Sequence, residues 1–128
     1  MTESYADFYR RSLEDRDGFW SEQARRIDWK TPPQQVCDYS NPPFARWFVG
    51  GSTNLGRNAV DRHLAERGDQ PALICVSPET NTEKTYTFRT LHEEARRMAA
   101  ALRGRGVGQG DRVRIGMPVV AGAAYAML

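Results

Sequence analysis

The densest glycine segment, Gly104–Gly110, is the first place to look for phosphate chemistry. Glycine-rich loops bind phosphate when they lead from a strand into a helix, because free N–H groups at the helix N-terminus then face the anion. Here a predicted helix precedes the loop and a predicted strand follows it. A dinucleotide fingerprint counted from Gly104 ends on Gln109, and one counted from Gly106 ends on Asp111. The segment is therefore predicted to end a helix and form a turn.

Asp61, His63 and His92 are the candidates for a metal site. Two histidines far apart in sequence, without a third ligand at useful spacing, are weak evidence for zinc. Asp61 and His63 are two positions apart, so on one helix their side chains point in different directions. We expect structural roles instead, with Asp61 or Arg62 paired at the surface and His63 hydrogen-bonded at the helix edge.

Ser52 and Thr53 follow two glycines and could be considered as nucleophiles. A nucleophilic hydroxyl needs a positioned base, and no G-x-S-x-G elbow surrounds these residues. We expect them to shape the turn that leads to Asn54, whose side chain can cap the next helix.

The remaining charged candidates are Glu93, Glu94 and the two lysines, Lys30 and Lys84. Glu93 is predicted to complete a capping box with Thr90, which leaves no acid/base pair. Neither lysine lies in a glycine-, serine- or threonine-rich loop, as phosphoryl or adenylyl transfer would require. We assign no catalytic, cofactor-binding or metal-binding residue to this chain.

Composition limits the classes of function. The chain has 18 basic and 16 acidic residues, and each of its three Arg–Arg pairs has an acidic residue nearby. Nucleic-acid binding needs a basic stripe on one face, and the sequence predicts none. The aromatic content of 10% is too high for a disordered tail.

The compartment follows from the cysteines and the amino terminus. Cys37 and Cys75 form no ligand spacing, and Cys75, inside an apolar run, is predicted to be buried. The first residues contain early acids and no apolar signal core, and no run reaches membrane-spanning length. We expect a reduced, cytoplasmic protein without a membrane segment.

The first half of the sequence predicts two short helices and an extended segment. Residues 4–13 have apolar side chains at helical spacing, and Asp15 can cap a second helix. The second helix is expected to place three residues on one face: Trp20, Ala24 and Ile27. Prolines then favour an extended chain from Trp29 to Pro43, followed by a short strand or aromatic anchor over residues 44–49.

The second half predicts the start of an α/β layer. A helix is expected over residues 55–66 with a left-handed stop at Gly68, and a strand buried on both faces over residues 72–76. A hairpin leads to a second strand over residues 84–89. Thr90 begins an amphipathic helix that Gly104 stops, and a strand over 112–117 precedes a last helix start. The predicted fold class is mixed α/β, with the layer incomplete.

Several blocks of this sequence resemble the amino-terminal region of the AMP-forming short-chain acyl-CoA synthetases, closest to the propionate–CoA ligases. The specific blocks are residues 7–12, 19–29, 40–48 and 53–62. The segment 86–92 and the pattern over 105–118 are shared more widely among acyl-CoA synthetases. The resemblance covers nearly the whole chain.

The resemblance implies a two-step reaction in a longer enzyme. A short carboxylate such as propionate attacks the α-phosphate of Mg-ATP, and the thiol of coenzyme A then takes the acyl group from the adenylate. The family's phosphate loop, acyl pocket, coenzyme A arginines and catalytic lysine lie beyond the matched region. The implied cofactors are therefore not bound by this segment.

The apolar run at residues 119–128 leads us to expect the front piece of such an enzyme, inactive alone. The predicted division is 1–70 as the amino-terminal synthetase region and 71–128 as the start of the AMP-binding domain. The alternative is a non-catalytic module that pairs with a separately encoded remainder or with itself.

Overall fold

The protein is described from a computed structural model, which covers residues 4–118 and 120–128. The chain forms two compact units, Met1–Asn54 and Leu55–Leu128. Both contain helices and antiparallel strand pairs, so the mixed α/β class predicted from the sequence is confirmed.

The first unit begins with two helices whose caps are local. Helix α1 is Tyr5–Glu14 and helix α2 is Arg16–Ala24. The Ser4 hydroxyl oxygen accepts the Asp7 N–H at 3.2 Å, and the Asp15 carboxylate accepts the Gly18 N–H at 3.2 Å. Each cap satisfies an N–H that a helix start leaves free, which is the role predicted for Asp15.

The apolar residues of the helices are buried unequally. Phe19 is the centre of packing at 2% exposure, and the Phe8 ring meets it edge-on with centroids 4.7 Å apart. The predicted face of Trp20, Ala24 and Ile27 is only partly correct. Ala24 is buried, but α2 ends there, and Ile27 lies beyond the helix at 40% exposure.

Four short strands follow among the described residues of the first unit. Strand β1 is Trp29–Thr31, β2 is Gln35–Asn41, β3 is Phe44–Val49 and β4 is Ser52–Thr53. β2 pairs antiparallel with β3, and β1 pairs antiparallel with β4. The proline-rich segment is therefore extended, as predicted, and it folds back as a hairpin at residues 42–43.

An aromatic row joins the helices to the strands of this unit. The centroids of neighbouring rings are 4.7 to 6.1 Å apart. The row consists of Phe8, Phe19, Trp20, Trp47, Phe48 and Trp29. The Trp29 indole N–H also donates to the Ala24 carbonyl at 2.8 Å, so one ring packs on β3 and closes the end of α2.

The second unit opens with a broken helix. Helix α3 is Leu55–Ala59, a 3₁₀ turn spans Asp61–His63, and helix α4 is Leu64–Arg67. The single helix predicted over 55–66 is wrong because the backbone at Val60 leaves the helical region, with φ −128° and ψ −61°. Val60 is 2% exposed and belongs to the core with Phe88 and Leu91.

Gly68 ends α4 by a different route from the one predicted. Its φ is −52°, so it is not a left-handed stop. An added Cβ would lie 2.6 Å from the Leu64 carbonyl oxygen and 2.7 Å from Arg89 Nη2. Glycine is needed here because the chain passes close to its neighbours.

Strand β5 (Pro71–Ser77) and strand β6 (Thr82–Thr87) form the predicted hairpin. The expectation that β5 is buried on both faces is wrong, since Ile74 is 57% and Val76 is 67% exposed. Cys75 is half-buried, and the buried thiol is Cys37 in the first unit. Burial of both faces requires a layer on each side, and the described residues supply one.

Helix α5 is Phe88–Gly104, and its first turns pack on the hairpin. It begins before the predicted Thr90, because the Thr87 hydroxyl oxygen accepts the Thr90 N–H at 3.2 Å. On the predicted apolar stripe, Leu91 is buried and Met98 is half-buried.

The last segment contains one short helix. Residues 111–118 form no strand, although Val113, Ile115 and Met117 alternate with other residues, so the strand predicted over 112–117 is wrong. A strand is completed by hydrogen bonds to a neighbour, and none of the described residues pairs with this segment. Helix α6, Ala121–Ala126, follows as predicted. Within residues 4–118 and 120–128, the structure contains no helix with the length and apolar character to cross a membrane.

Candidate functional site

The glycine segment after α5 is a helix end and a turn, as predicted. Gly106 has φ +85°, and the N–H of Val107 donates to the Leu102 carbonyl at 3.1 Å. The Asp111 carboxylate then accepts the Gly108 N–H at 2.7 Å. These bonds use the backbone groups that a phosphate loop would offer to a ligand.

The metal-site candidates are brought together only in part. Asp61 Oδ1 lies 2.7 Å from Nδ1 of His92, which tethers the 3₁₀ turn to α5. The His63 ring instead lies against the Phe88 ring, with centroids 5.3 Å apart. Sequence reasoning expected surface pairing for Asp61 but did not find His92 as its partner. Among the described residues, no three His, Cys, Asp or Glu side chains converge as metal ligands.

Ser52 and Thr53 hold the short sheet of the first unit together. Both lie in β4, and the Thr53 hydroxyl donates to the Asp28 carbonyl at 2.9 Å. They therefore pair with β1 and do more than shape the turn before Asn54. The bond to the Asp28 carbonyl gives Thr53 a structural role.

Glu93 is exposed and Glu94 is half-buried on α5. Arg97 Nη1 donates to Glu94 at 2.9 Å, and its other terminal nitrogen is 3.9 Å from Glu93. Glu93 is not part of a capping box, because the cap residue is Thr87. These contacts form a solvated ion-pair cluster, which contributes little to stability.

Lys84 is held by its strand neighbour. Its Nζ lies 4.7 Å from the centroid of the Tyr86 ring. A hydrogen bond with Tyr86, followed by the charge of that residue, raises the pKa of Lys84 above its ordinary value. Lys84 therefore stays protonated and cannot act as a general base near neutral pH.

Two grooves stand out among the described residues. In the first unit, a groove of about 280 Å³ lies beside Trp29, Pro33 and Arg25. In the second, an apolar groove of about 480 Å³ lies between β5 and α6. None of the described residues that line the second groove is charged, so they offer apolar contact and not acid/base chemistry.

The fold and sequence together define the class of protein. A family model described as "AMP-binding enzyme" matches residues 60–128, and one described as "Acetyl-coenzyme A synthetase N-terminus" matches residues 5–59. The chain belongs to the AMP-binding enzyme family, in its acyl-CoA synthetase branch. The family predicted from the sequence blocks is confirmed.

Three individual proteins show which members of the family this chain resembles. The chain is 53% identical to the propionate–CoA ligase of Escherichia coli (strain K12) over 98% of its own length and 20% of the relative. It is 47% identical to an acetyl-coenzyme A synthetase of Methylorubrum extorquens, with 97% and 20% covered. The solved acetoacetyl-CoA synthetase from Streptomyces lividans matches with a TM-score of 0.84 and 32% identity, covering 98% of this chain and 20% of that one. The chain thus spans about a fifth of the length of these relatives.

Proposed function

We propose that this chain is the amino-terminal part of an ATP-dependent propionate–CoA ligase and is inactive alone. In the complete enzyme, a short carboxylate attacks the α-phosphorus of ATP, and pyrophosphate leaves. The thiol of coenzyme A then attacks the acyl carbon, and AMP leaves. The chain would supply the docking helices, the extended wrap and the first layers of the AMP-binding domain.

The observation that carries the proposal is the gradient of identity among the relatives. The chain is 53% and 51% identical to two propionate–CoA ligases and 47% identical to the acetyl-coenzyme A synthetase of Methylorubrum extorquens, over alignments of nearly equal length. The three alignments are nearly equal in length, so the difference in identity is not caused by a difference in coverage. Propionate or another short-chain acid is therefore the substrate that we assign to the whole enzyme.

No catalytic, nucleotide-binding or metal-binding residue is placed on this chain. Magnesium prefers oxygen ligands, and the described residues contain no group of three or more His, Cys, Asp or Glu side chains that could hold a metal ion. Two of the polar side chains that first suggested chemistry, Asp61 and His92, are engaged with each other. The residues that hold ATP, magnesium and coenzyme A are therefore assigned to polypeptide outside this segment.

The test compares the chain with a chimera. The chain is joined to the polypeptide that follows the matched 125 residues in the E. coli ligase, and propionate-dependent pyrophosphate release is measured with ATP, magnesium and coenzyme A. We expect turnover from the chimera and none from the chain alone. Robust turnover by the chain alone, or a folded but inactive chimera, would overturn the proposal.

The second candidate is a non-catalytic module that associates with another polypeptide. The exposed apolar groove beside β5 is the observation that favours it. A defined oligomer of the purified chain, seen by sedimentation, together with an inactive chimera, would select this candidate over the ligase.

Two further expectations belong to the same proposal. We retain the division of this chain into residues 1–70, the amino-terminal synthetase region, and residues 71–128, the start of the AMP-binding domain, which limited proteolysis of the chimera would test. We also retain a cytoplasmic location, since Cys37 and Cys75 are free thiols, the state that a reducing compartment maintains. Fractionation of cells that produce the tagged protein tests the location.

A further inference from the structure

The groove of the second unit runs along an unpaired strand edge. Four consecutive residues of β5, Leu73 to Val76, line it. None of the described residues that line the groove belongs to β6, so the groove lies on the side of β5 away from its partner strand. Within the part of the chain that the structure describes, β5 pairs with β6 alone, and the groove lies at the opposite edge.

The walls of this β5 groove are apolar and open to solvent. Ile74 and Val76 on the strand are 57% and 67% exposed. Met117, Val120 and Met127 on the opposite wall are 42%, 46% and 62% exposed. Large apolar side chains left in water along a free strand edge favour association, because both the hydrophobic surface and the backbone groups lack partners.

The length of the relatives indicates what covers the groove. The chain corresponds to a fifth of each relative, so four-fifths of such an enzyme lies outside the structure. An extended segment can supply both missing elements at once, since its backbone pairs with the strand edge and its alternate side chains fill the groove.

We propose that the β5 groove accepts one β-strand from the polypeptide that follows the matched segment in the whole enzyme. This inference rests on the proposed function and adds a specific docking surface to it. The strand pairs with the free edge of β5 and places apolar side chains against Ile74, Val76 and Met117. The groove volume, about 480 Å³, also falls within the range of small-ligand pockets. The test must therefore distinguish an added strand from a bound apolar ligand.

Hydrogen exchange tests strand addition directly. Amide exchange over residues 73–76 is compared between the isolated chain and the chimera with the E. coli ligase. Added pairing is expected to slow the groove-facing amides on the order of a hundredfold in the chimera, because they then open only with the sheet. Equal exchange rates in the two proteins would overturn the inference. Slow exchange in the isolated chain would also overturn it, whether the chain is protected by its own dimerisation or by an added apolar ligand.

A matched pair of variants makes the test specific to the groove. In the chimera, Ile74→Glu is expected to restore fast exchange over residues 73–76, because it places a charge where the added strand packs. Leu55→Glu is the control, since Leu55 is equally exposed at 60% but lies outside the groove. If both variants leave the protection intact, the groove is not the docking surface. This comparison holds even if the isolated chain does not fold.

Failure of this inference is distinguishable from failure of the proposed function. An active chimera whose β5 amides stay unprotected removes the docking surface and leaves the ligase assignment. An inactive chimera with protected β5 amides leaves the docking surface and removes the ligase assignment.

Discussion

Nδ1 of His92 lies 2.7 Å from Oδ1 of Asp61, although 31 residues separate the two in sequence. The bond ties the 3₁₀ turn to α5 next to the buried Val60. Both side chains are partly exposed, at 25% for His92 and 42% for Asp61. The pair therefore holds two distant segments in register and is a structural element of the second unit.

A double-mutant cycle of Asp61→Ala and His92→Ala measures this tether. We expect a coupling of about 0.5–1 kcal/mol in the free energy of unfolding, because the bond is short and partly shielded from water. Urea titration followed by circular dichroism gives the four values. The control cycle uses Asp69 and Arg89, which are 3.1 Å apart with Asp69 89% exposed, and its coupling should be near zero. Equal couplings would contradict the structural role.

Substitution of Gly68 by Ala should destabilise the protein. The new Cβ would meet the Leu64 carbonyl oxygen at 2.6 Å, and backbone cannot move aside cheaply. The expected loss is about 1–3 kcal/mol in the free energy of unfolding. Gly104→Ala is the control, because its Cβ would meet nothing within 4 Å at the end of α5, so a change within about 0.5 kcal/mol is expected. Equal losses in the two variants would refute the close approach at Gly68.

Removal of the indole N–H of Trp29 should weaken the first unit. Trp29→Phe keeps an aromatic ring near Phe48 but deletes the donor that closes α2 at the Ala24 carbonyl. The control is Trp47→Phe, because Trp47 contributes ring contacts to the aromatic row. We expect Trp29→Phe to lower the free energy of unfolding by about 1 kcal/mol more than Trp47→Phe does. Thermal or urea unfolding of both variants gives the difference, and indistinguishable stabilities would show that the hydrogen bond contributes nothing.

The carboxyl of Asp7 should titrate below its usual range. The Ser4 hydroxyl bond and then the Arg10 charge lower the pKa of Asp7. A lowered pKa means that the unfolded chain binds the proton more readily, so the stabilisation is present above the ordinary value of about 3.9 and is lost as pH falls through the folded pKa. The expected result is loss of α1 helicity below about pH 4. NMR titration of Asp7 together with circular dichroism checks it.

Two serine variants provide a matched control for this titration. Ser4→Ala should move the pKa of Asp7 upward and leave Asp38 unchanged. The pKa of Asp38 is lowered mainly by hydrogen bonds from Ser40, so Ser40→Ala should have the reverse pattern. A shift of both carboxyls by either variant would show a general effect of unfolding instead of local bonds.

The sequence by itself determined the local elements and the family. The Asp15 cap, the extended chain favoured by the prolines between Trp29 and Pro43 and the helix stop at Gly104 depend on neighbouring residues, and each is formed where it was predicted. Backbone preferences and caps act within a few residues of the chain, so they can be predicted from the sequence without knowledge of the tertiary structure. The blocks that resemble acyl-CoA synthetases are equally a property of the sequence.

Only the tertiary structure decided the features that need distant partners. The helix breaks at Val60 because burial against Phe88 and Leu91 outweighs one more helical turn. Asp61 finds His92 across 31 residues, and residues 112–117 form no strand where no described neighbour pairs with them. The alternation in that segment gives a preference for extended chain, but a strand exists only when another strand satisfies its N–H and C=O groups. Burial and pairing are collective properties of segments brought together by folding, which is why local pattern alone could not assign them.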